Sequence, residues 1–309
     1  MPKLQFMEPT QAPAIPPRAY LRSLARILLY RLMPLRWSLG LACVLRRLEM
    51  LTHSARRKRL AGLLRPLLPE GTSERDLHRK VILSRAIRQL GAHTYAPVFR
   101  RDRRWILRTL QPTGLHFLEQ AKLPACGAII LGTHAGLNAW VAPLLIQLGY
   151  PVRLMQRKEI SAEKLLLIRL SGWIQEALPY PDIGEEGIYL KRLHDLIRQG
   201  EWVQHVADHA DHRTGLAGSL LGRSVSCCRA PWVLGSLTGA PLIPVLALVD
   251  ERMRPRLHIG EPIHVEGTGS AGESVHSAFQ SYLDFVSGRL ANIPWNMSLL
   301  DWANMTPAQ

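Results

Sequence analysis

The residue best placed for chemistry in this 309-residue chain is His134. It follows a short apolar run, Ala128 to Leu131, closed by Gly132 and Thr133. From Asn138 the spacing turns helical, with Val141, Leu144, Leu145 and Leu148 on one side and Gly149 where a helix would stop. A strand, a turn and a helix in that order present the turn residue at the carboxyl edge of a sheet, where open α/β folds hold ligands. An imidazole in that position is a candidate general base.

A second cluster, His205-x-x-Asp208-His209-x-Asp211-His212, has the residue types of a metal site. His209, Asp211 and His212 match the tail of the H-x-H-x-D-H zinc-hydrolase pattern, but its first His would fall at Ala207. Zinc takes three or four converging ligands, and no other His/Cys cluster of matching kind occurs. The expectation is no metal, polar residues around a substrate, and His205 in the core or a lid. Cys43, Cys126, Cys227 and Cys228 include no C-x-x-C pair, so they suggest neither a zinc ribbon nor a disulfide framework and favour a reducing compartment.

The elements that would position these groups alternate from about Thr113 onward, strand with helix. Expected strands are 128–131, 151–156, 202–207, 241–249 and 254–260. Expected helices are 163–171, 185–199, 229–238 and 274–291. Gly215, Gly218 and Gly222 suggest a flexible loop after Asp208.

The first 125 residues hold 24 Lys and Arg against 7 Asp and Glu, net +17, while the remainder carry 15 against 17. The whole chain's +15 therefore originates in its N-terminal part, which should meet an anionic partner. Residues 1–17 are Pro-rich, lack the apolar core of a secretory signal and read as an extended or disordered tail. Arg18, Arg22 and Arg26 recur every four residues opposite Leu21, Leu24, Ile27, Leu28 and Leu32, and Pro34 should break that helix. Such a helix fits either a membrane surface or a domain face with solvated arginines. Arg56 to Arg59 and Arg100 to Arg104 continue the basic pattern, and Ser73-x-x-Asp76 resembles a capping box for a helix that Gly91 closes. The longest uncharged stretch between Tyr20 and Leu51, Trp37 to Leu45, is too short to span a bilayer.

Several stretches together resemble the glycerophospholipid acyltransferase superfamily, in particular the lauroyl/myristoyl acyltransferases of lipid A biosynthesis. They are Gly222-Arg223-Ser224 through Gly235-Ser236-Leu237-Thr238-Gly239-Ala240-Pro241, Gly200-Glu201-Trp202 through Asp208, and Pro294-Trp295-Asn296. The likeness covers about residues 18–300. It implies an α/β fold with a mixed central sheet flanked by helices and a basic helical N-terminal extension. The divisions would be a tail over 1–17, a membrane-associating region over 18–110, the acyltransferase-like core over 111–300 and a tail over 301–309. It also implies a His that deprotonates an acceptor hydroxyl for attack on an acyl thioester, and an Asp or Glu that orients that His.

His134 matches that His, but the position for the acid is Ala139. Three arrangements are compatible with the sequence. Asp208 could bring a carboxylate from another strand. Asn138 could hold the imidazole, although Asn is also a favoured helix N-cap. Or the chain could be a non-catalytic lipid- or carrier-binding homologue. Backbone N–H groups around Gly132, Ala135 and Gly136 could steady an oxyanion. Arg157 and Arg223 could face an anionic head group, and Asp211 the substrate. The resemblance implies an acyl-carrier-protein or coenzyme A thioester as donor, with no separate cofactor, and a lipid or glycolipid acceptor. The partners would be an acidic acyl carrier protein and an anionic membrane surface, the protein lying peripherally on the cytoplasmic side of the inner or plasma membrane. No nucleic-acid motif is present, so nucleic acid is not an expected partner.

Overall fold

The computed structural model describes Leu21, Met33 and residues 35–93, 102–122, 126–153, 155–156, 178–179, 186–208, 215–265 and 271–298. The tails, the helix carrying Arg18, Arg22 and Arg26, the helix expected over 163–171, and Arg157, His209, Asp211 and His212 lie outside the described residues.

The central sheet runs β2–β5–β1–β8–β9, where β1 is Ile129–Gly132, β2 Val152–Arg153, β5 Trp202–Val206, β8 Leu242–Val249 and β9 Pro255–Ile259. β1, β2, β5 and β8 are parallel, and β9 closes the edge antiparallel to β8. The protein is thus α/β, with a mixed sheet flanked by helices. Every residue of β1 and β8 is buried, as their unbroken apolar runs require of strands covered on both faces. Thr113 enters beside β9, with its N–H donating to the Leu257 carbonyl at 2.9 Å.

The expected strand over 151–156 divides. β2 joins the central sheet, whereas β3 (Met155–Gln156) pairs with β4 (Leu178–Pro179) in a separate ribbon. The loop expected to be flexible is instead an antiparallel hairpin, β6 (Leu216–Leu220) with β7 (Arg223–Cys227). Its turn residues, Leu221 and Gly222, both have positive φ, 51° and 74°, the backbone twist that suits a two-residue hairpin turn. Gly218 serves packing rather than mobility. A Cβ there would lie 2.4 Å from Leu283 and 2.8 Å from Phe279, both on the helix Ala271–Leu290.

Among the described residues, the helices ahead of the sheet include α1 (Leu35–Thr52), α2 (Ser54–Leu64), α3 (Glu74–His93), α4 (Arg103–Leu110) and α5 (Leu115–Gln120). Ser73 begins α3 by accepting from the Asp76 N–H at 3.2 Å. That helix does not end at Gly91 but continues to His93, with Gly91 packed beside Leu137. α1 and α2 pack on α3 through Leu39, Ala42, Met50, Leu60 and Leu64. The far side of α1 leaves Trp37, Val44, Leu48 and Leu51 exposed. Among the described residues, no helix is long and apolar enough to cross a membrane.

The later helices are α6 (Val141–Gln147), α7 (Glu186–Arg198), α8 (Ala230–Thr238) and α9 (Ala271–Leu290). Pro231 sits in the first turn of α8 and Gly239 ends it with φ 70°, the usual asymmetry of helix ends. Trp232 of α8 packs edge-on against Phe279 of α9, ring centroids 5.5 Å apart. α3 docks on the C-terminal segment, where the Ser84 hydroxyl donates to the Met297 carbonyl at 2.9 Å and Arg88 Nη1 to Ser298 Oγ at 2.6 Å.

Candidate active site

The register of two strands builds the site. β1 and β5 are neighbours, parallel, with Gly132 opposite Val206. Two residues further along each strand stand His134 and Asp208, so both emerge at the same carboxyl edge. The His134 Nδ1–H donates to Asp208 Oδ1 at 2.9 Å, and the His134 backbone N–H donates to Asp208 Oδ2 at 2.7 Å. The Thr133 hydroxyl also donates to Oδ2. The Asp208 side chain is only 3% exposed, while that of His134 is 40% exposed. Burying a carboxylate is costly unless donors replace its water, and here three donors from two successive residues do so.

This arrangement fixes the imidazole tautomer. A carboxylate can only accept, so the Nδ1 proton is directed at Asp208 and the basic lone pair resides on Nε2. A half-exposed ring with an oriented basic nitrogen can take a proton from a bound hydroxyl. The resulting imidazolium would be stabilised by the buried charge beside it.

Behind the pair, the Tyr282 hydroxyl of α9 donates to the Gly132 carbonyl at 2.8 Å. Burial, and then the field of Asp208, push the Tyr282 phenol well above its ordinary range, so it remains a neutral donor. Cys227 and Cys228 flank the same region, with the Cys228 N–H donating to the Ala207 carbonyl at 2.9 Å. Burial raises both thiols, and Asp208 adds to the rise for Cys227. Neither has the character of a nucleophilic thiolate.

The turn after His134 is held tightly. Gly136 has φ 59°, and a Cβ there would lie 2.2 Å from the Ala247 carbonyl oxygen. Its N–H donates to the Asn296 carbonyl at 2.7 Å, and the Leu137 N–H donates to the Ala247 carbonyl at 2.6 Å. The Gly136 N–H is therefore engaged within the protein, contrary to its expected use toward an oxyanion. Asn296 clamps the same corner through its side chain, accepting from the Val249 N–H at 2.8 Å and donating to the Val249 carbonyl at 2.9 Å.

Gly132 is needed for close approach. A Cβ on it would be 2.8 Å from Asn138 Oδ1 and 3.4 Å from Gln204 Nε2. Asn138 is neither an N-cap nor a partner of the imidazole. It opens the 3₁₀ turn Asn138–Trp140 from inside, Leu137 being the cap residue, and its buried Oδ1 accepts no hydrogen bond.

His205 lies in the core, as one of the two sequence alternatives had it. It is 6% exposed, its Nε2 stands 3.8 Å from Cys228 Sγ, and burial lowers its pKa to about 4. Arg223 is the first residue of β7, beside the hairpin turn. Four residues, about 13 Å of strand, separate it from Cys227 at the end near Asp208. Of the expected set, the fold brings together His134, Asp208, Gly132, Gly136 and Asn138, while Arg223 stands at the opposite end of β7 from Cys227. Arg157 and Asp211 lie outside the described residues. Among the described residues, no group of three or more His, Cys, Asp and Glu is arranged to hold a metal ion.

Sequence reasoning passed over Thr133, Gln204 and Tyr282. The Thr133-His134 dipeptide at a strand end is the one local signal that pointed to Thr133. Tyr282, 150 positions from the carbonyl that it binds, left none. No protein-family model matches the chain, and no curated protein matches it.

Proposed function

We propose that this protein is an acyltransferase with the fold of the glycerophospholipid acyltransferases. It moves an acyl group from a carrier-protein or coenzyme A thioester to a hydroxyl of a lipid or glycolipid. The observation that carries this reading is the 2.9 Å bond from His134 Nδ1 to a buried carboxylate, on a ring that remains 40% exposed. His134 Nε2 takes the acceptor's O–H proton as its oxygen attacks the thioester carbonyl. The tetrahedral intermediate collapses, the C–S bond breaks, and the imidazolium returns the proton to the leaving thiolate. Asp208 keeps the ring in the reactive tautomer and stabilises the imidazolium. The reaction as written draws on no cofactor beyond the donor.

Ala139 stands where the resembling family carries its acid, which is the ground for the alternative, an inert lipid- or carrier-binding homologue. The bond from His134 to Asp208 weighs against that alternative, since a carboxylate is supplied from the neighbouring strand. The basic N-terminal part suits an anionic bilayer and an acidic carrier protein. This supports a peripheral position on the cytoplasmic side of the inner or plasma membrane.

The test is direct transfer. Purified protein is incubated with acyl-carrier-protein or acyl-coenzyme A and a lipid acceptor, and both ester and free thiol are measured. His134→Ala should abolish both products while binding vesicles as the parent does. Undiminished turnover by His134→Ala would remove the imidazole from the mechanism. Binding of thioester or lipid with no product from either donor would favour the inert homologue.

A further inference from the structure

The N-terminal helices gather positive charge at one point. Glu49 of α1 accepts from Arg46 Nη1 of the same helix through Oε2. Its Oε1 accepts from Arg56 Nη1 of α2 at 3.3 Å and from Arg85 Nη2 of α3 at 3.4 Å. Arg46 is further held by its Nε–H, which donates to Gln89 Oε1 at 2.7 Å. Three guanidiniums thus share one carboxylate. Arg46 and Arg85 are partly buried, their side chains 23% and 13% exposed, while Arg56 stands at the surface with 41% exposed.

The charges do not balance. Burial and then the fields of Arg56 and Arg46 depress the Arg85 guanidinium below its ordinary value, ahead of what Glu49 restores. Burial alone would raise the Glu49 carboxyl, yet the bond from Arg46 and the fields of all three arginines bring it below its ordinary value. The Arg85 Nε is buried with no hydrogen-bond partner. A buried donor without an acceptor, inside a group with surplus positive charge, is destabilising as it stands. An anion with several acceptor oxygens would offset the surplus charge, and planar guanidinium forks match phosphate geometry.

We propose that Arg46, Arg56 and Arg85 form a phosphate-binding site where α1, α2 and α3 meet. The group bound is a phosphate, carried either by a lipid head group or by a soluble molecule. A chain of hydrogen bonds and short chain segments runs from the site toward the imidazole. Arg88, one turn along α3 from Arg85, donates to Ser298 Oγ at 2.6 Å. Ser298 is two residues past Asn296, whose carbonyl accepts from Gly136 at 2.7 Å, and Gly136 is two residues past His134. The site stands or falls separately from acyl transfer.

The experiment follows the thermal midpoint of the full chain in inorganic phosphate, with sodium chloride adjusted to constant ionic strength. The midpoint should rise and saturate. Arg56→Gln, at the most exposed of the three positions, should weaken the apparent phosphate affinity at least tenfold. Glu49→Gln removes the competing carboxylate and should strengthen that affinity severalfold, although it loses a structural partner. Opposite changes in phosphate response are not expected of a cluster that only ties helices together. Flotation with phosphatidic acid vesicles then separates the sources. Impaired flotation of Arg56→Gln, with inorganic phosphate competing, assigns a lipid phosphate, whereas unaltered flotation assigns a soluble one. A parent midpoint no more sensitive to phosphate than to chloride, or equal responses from parent and Arg56→Gln, overturns the site.

Discussion

Asp208 reaches His134 sideways, from the end of the adjacent parallel strand, across a sequence separation of 74 residues. The chain has Ala139 where a helical partner would stand. A buried carboxylate one strand away supports the ring as well as one on the following helix, because what matters to the imidazole is an acceptor at Nδ1 and a negative charge that water does not screen.

Asp208→Asn should therefore reduce turnover by about ten-thousand-fold, the order seen when a triad carboxylate becomes an amide. Asn138→Ala, which removes a side-chain oxygen that accepts no hydrogen bond, should alter turnover far less. Steady-state rates of the two variants, measured with folding confirmed by circular dichroism, compare the residues directly.

Thr133 is expected to act through Asp208. Thr133→Val removes a donor to a buried charge and should cost about 1–3 kcal/mol of stability, together with a loss of turnover. Thr133→Ser retains the hydroxyl and should recover most of both. Urea denaturation and rate measurements on the pair test this, and parent-like stability and turnover in Thr133→Val would show that the bond contributes nothing.

Two glycines with positive φ should respond differently to alanine. Gly149→Ala meets open space at φ 93° and should cost about 1–2 kcal/mol from backbone strain. Gly136→Ala adds a Cβ 2.2 Å from the Ala247 carbonyl oxygen and should exceed about 4 kcal/mol, the range of severe core lesions. Soluble yield and thermal midpoint would report the contrast.

Stability should fall with acid earlier than carboxylates alone require. Burial lowers the pKa of His205 from 6.5 to about 4, and burial followed by the fields of Arg289 and Arg256 does the same for His258. Between those values the unfolded chain binds protons that the folded chain does not. The contribution is thus complete above the unfolded value, is lost as pH falls toward the folded value, and changes no further below it. For His205 the loss is about 3 kcal/mol. Urea midpoints taken across that window should slope steeply for the parent and less for His205→Gln; identical slopes would contradict the assignment.

Local pattern made much of the chain readable. The apolar run of β8, the change of period after His134 and the Gly239 terminator are each encoded within a few residues, since burial on both faces, helical spacing and left-handed backbone each have a residue signature. The same signatures misled where packing reversed their meaning. Gly218 suggested mobility but is small because Phe279 and Leu283 press on it, and Gly91 suggested a helix end but lies within α3, beside Leu137.

The sequence by itself determined that a histidine would stand at a strand end in an α/β protein with a strongly basic N-terminal part. The tertiary structure decided which carboxylate meets that histidine, that the Gly136 N–H is already engaged by Asn296, and that arginines from three helices converge on Glu49. The division has a physical cause. Secondary structure follows from periodicities that neighbouring residues carry, whereas the pairing of distant side chains follows from strand register and helix docking, which the packing of the whole core sets together.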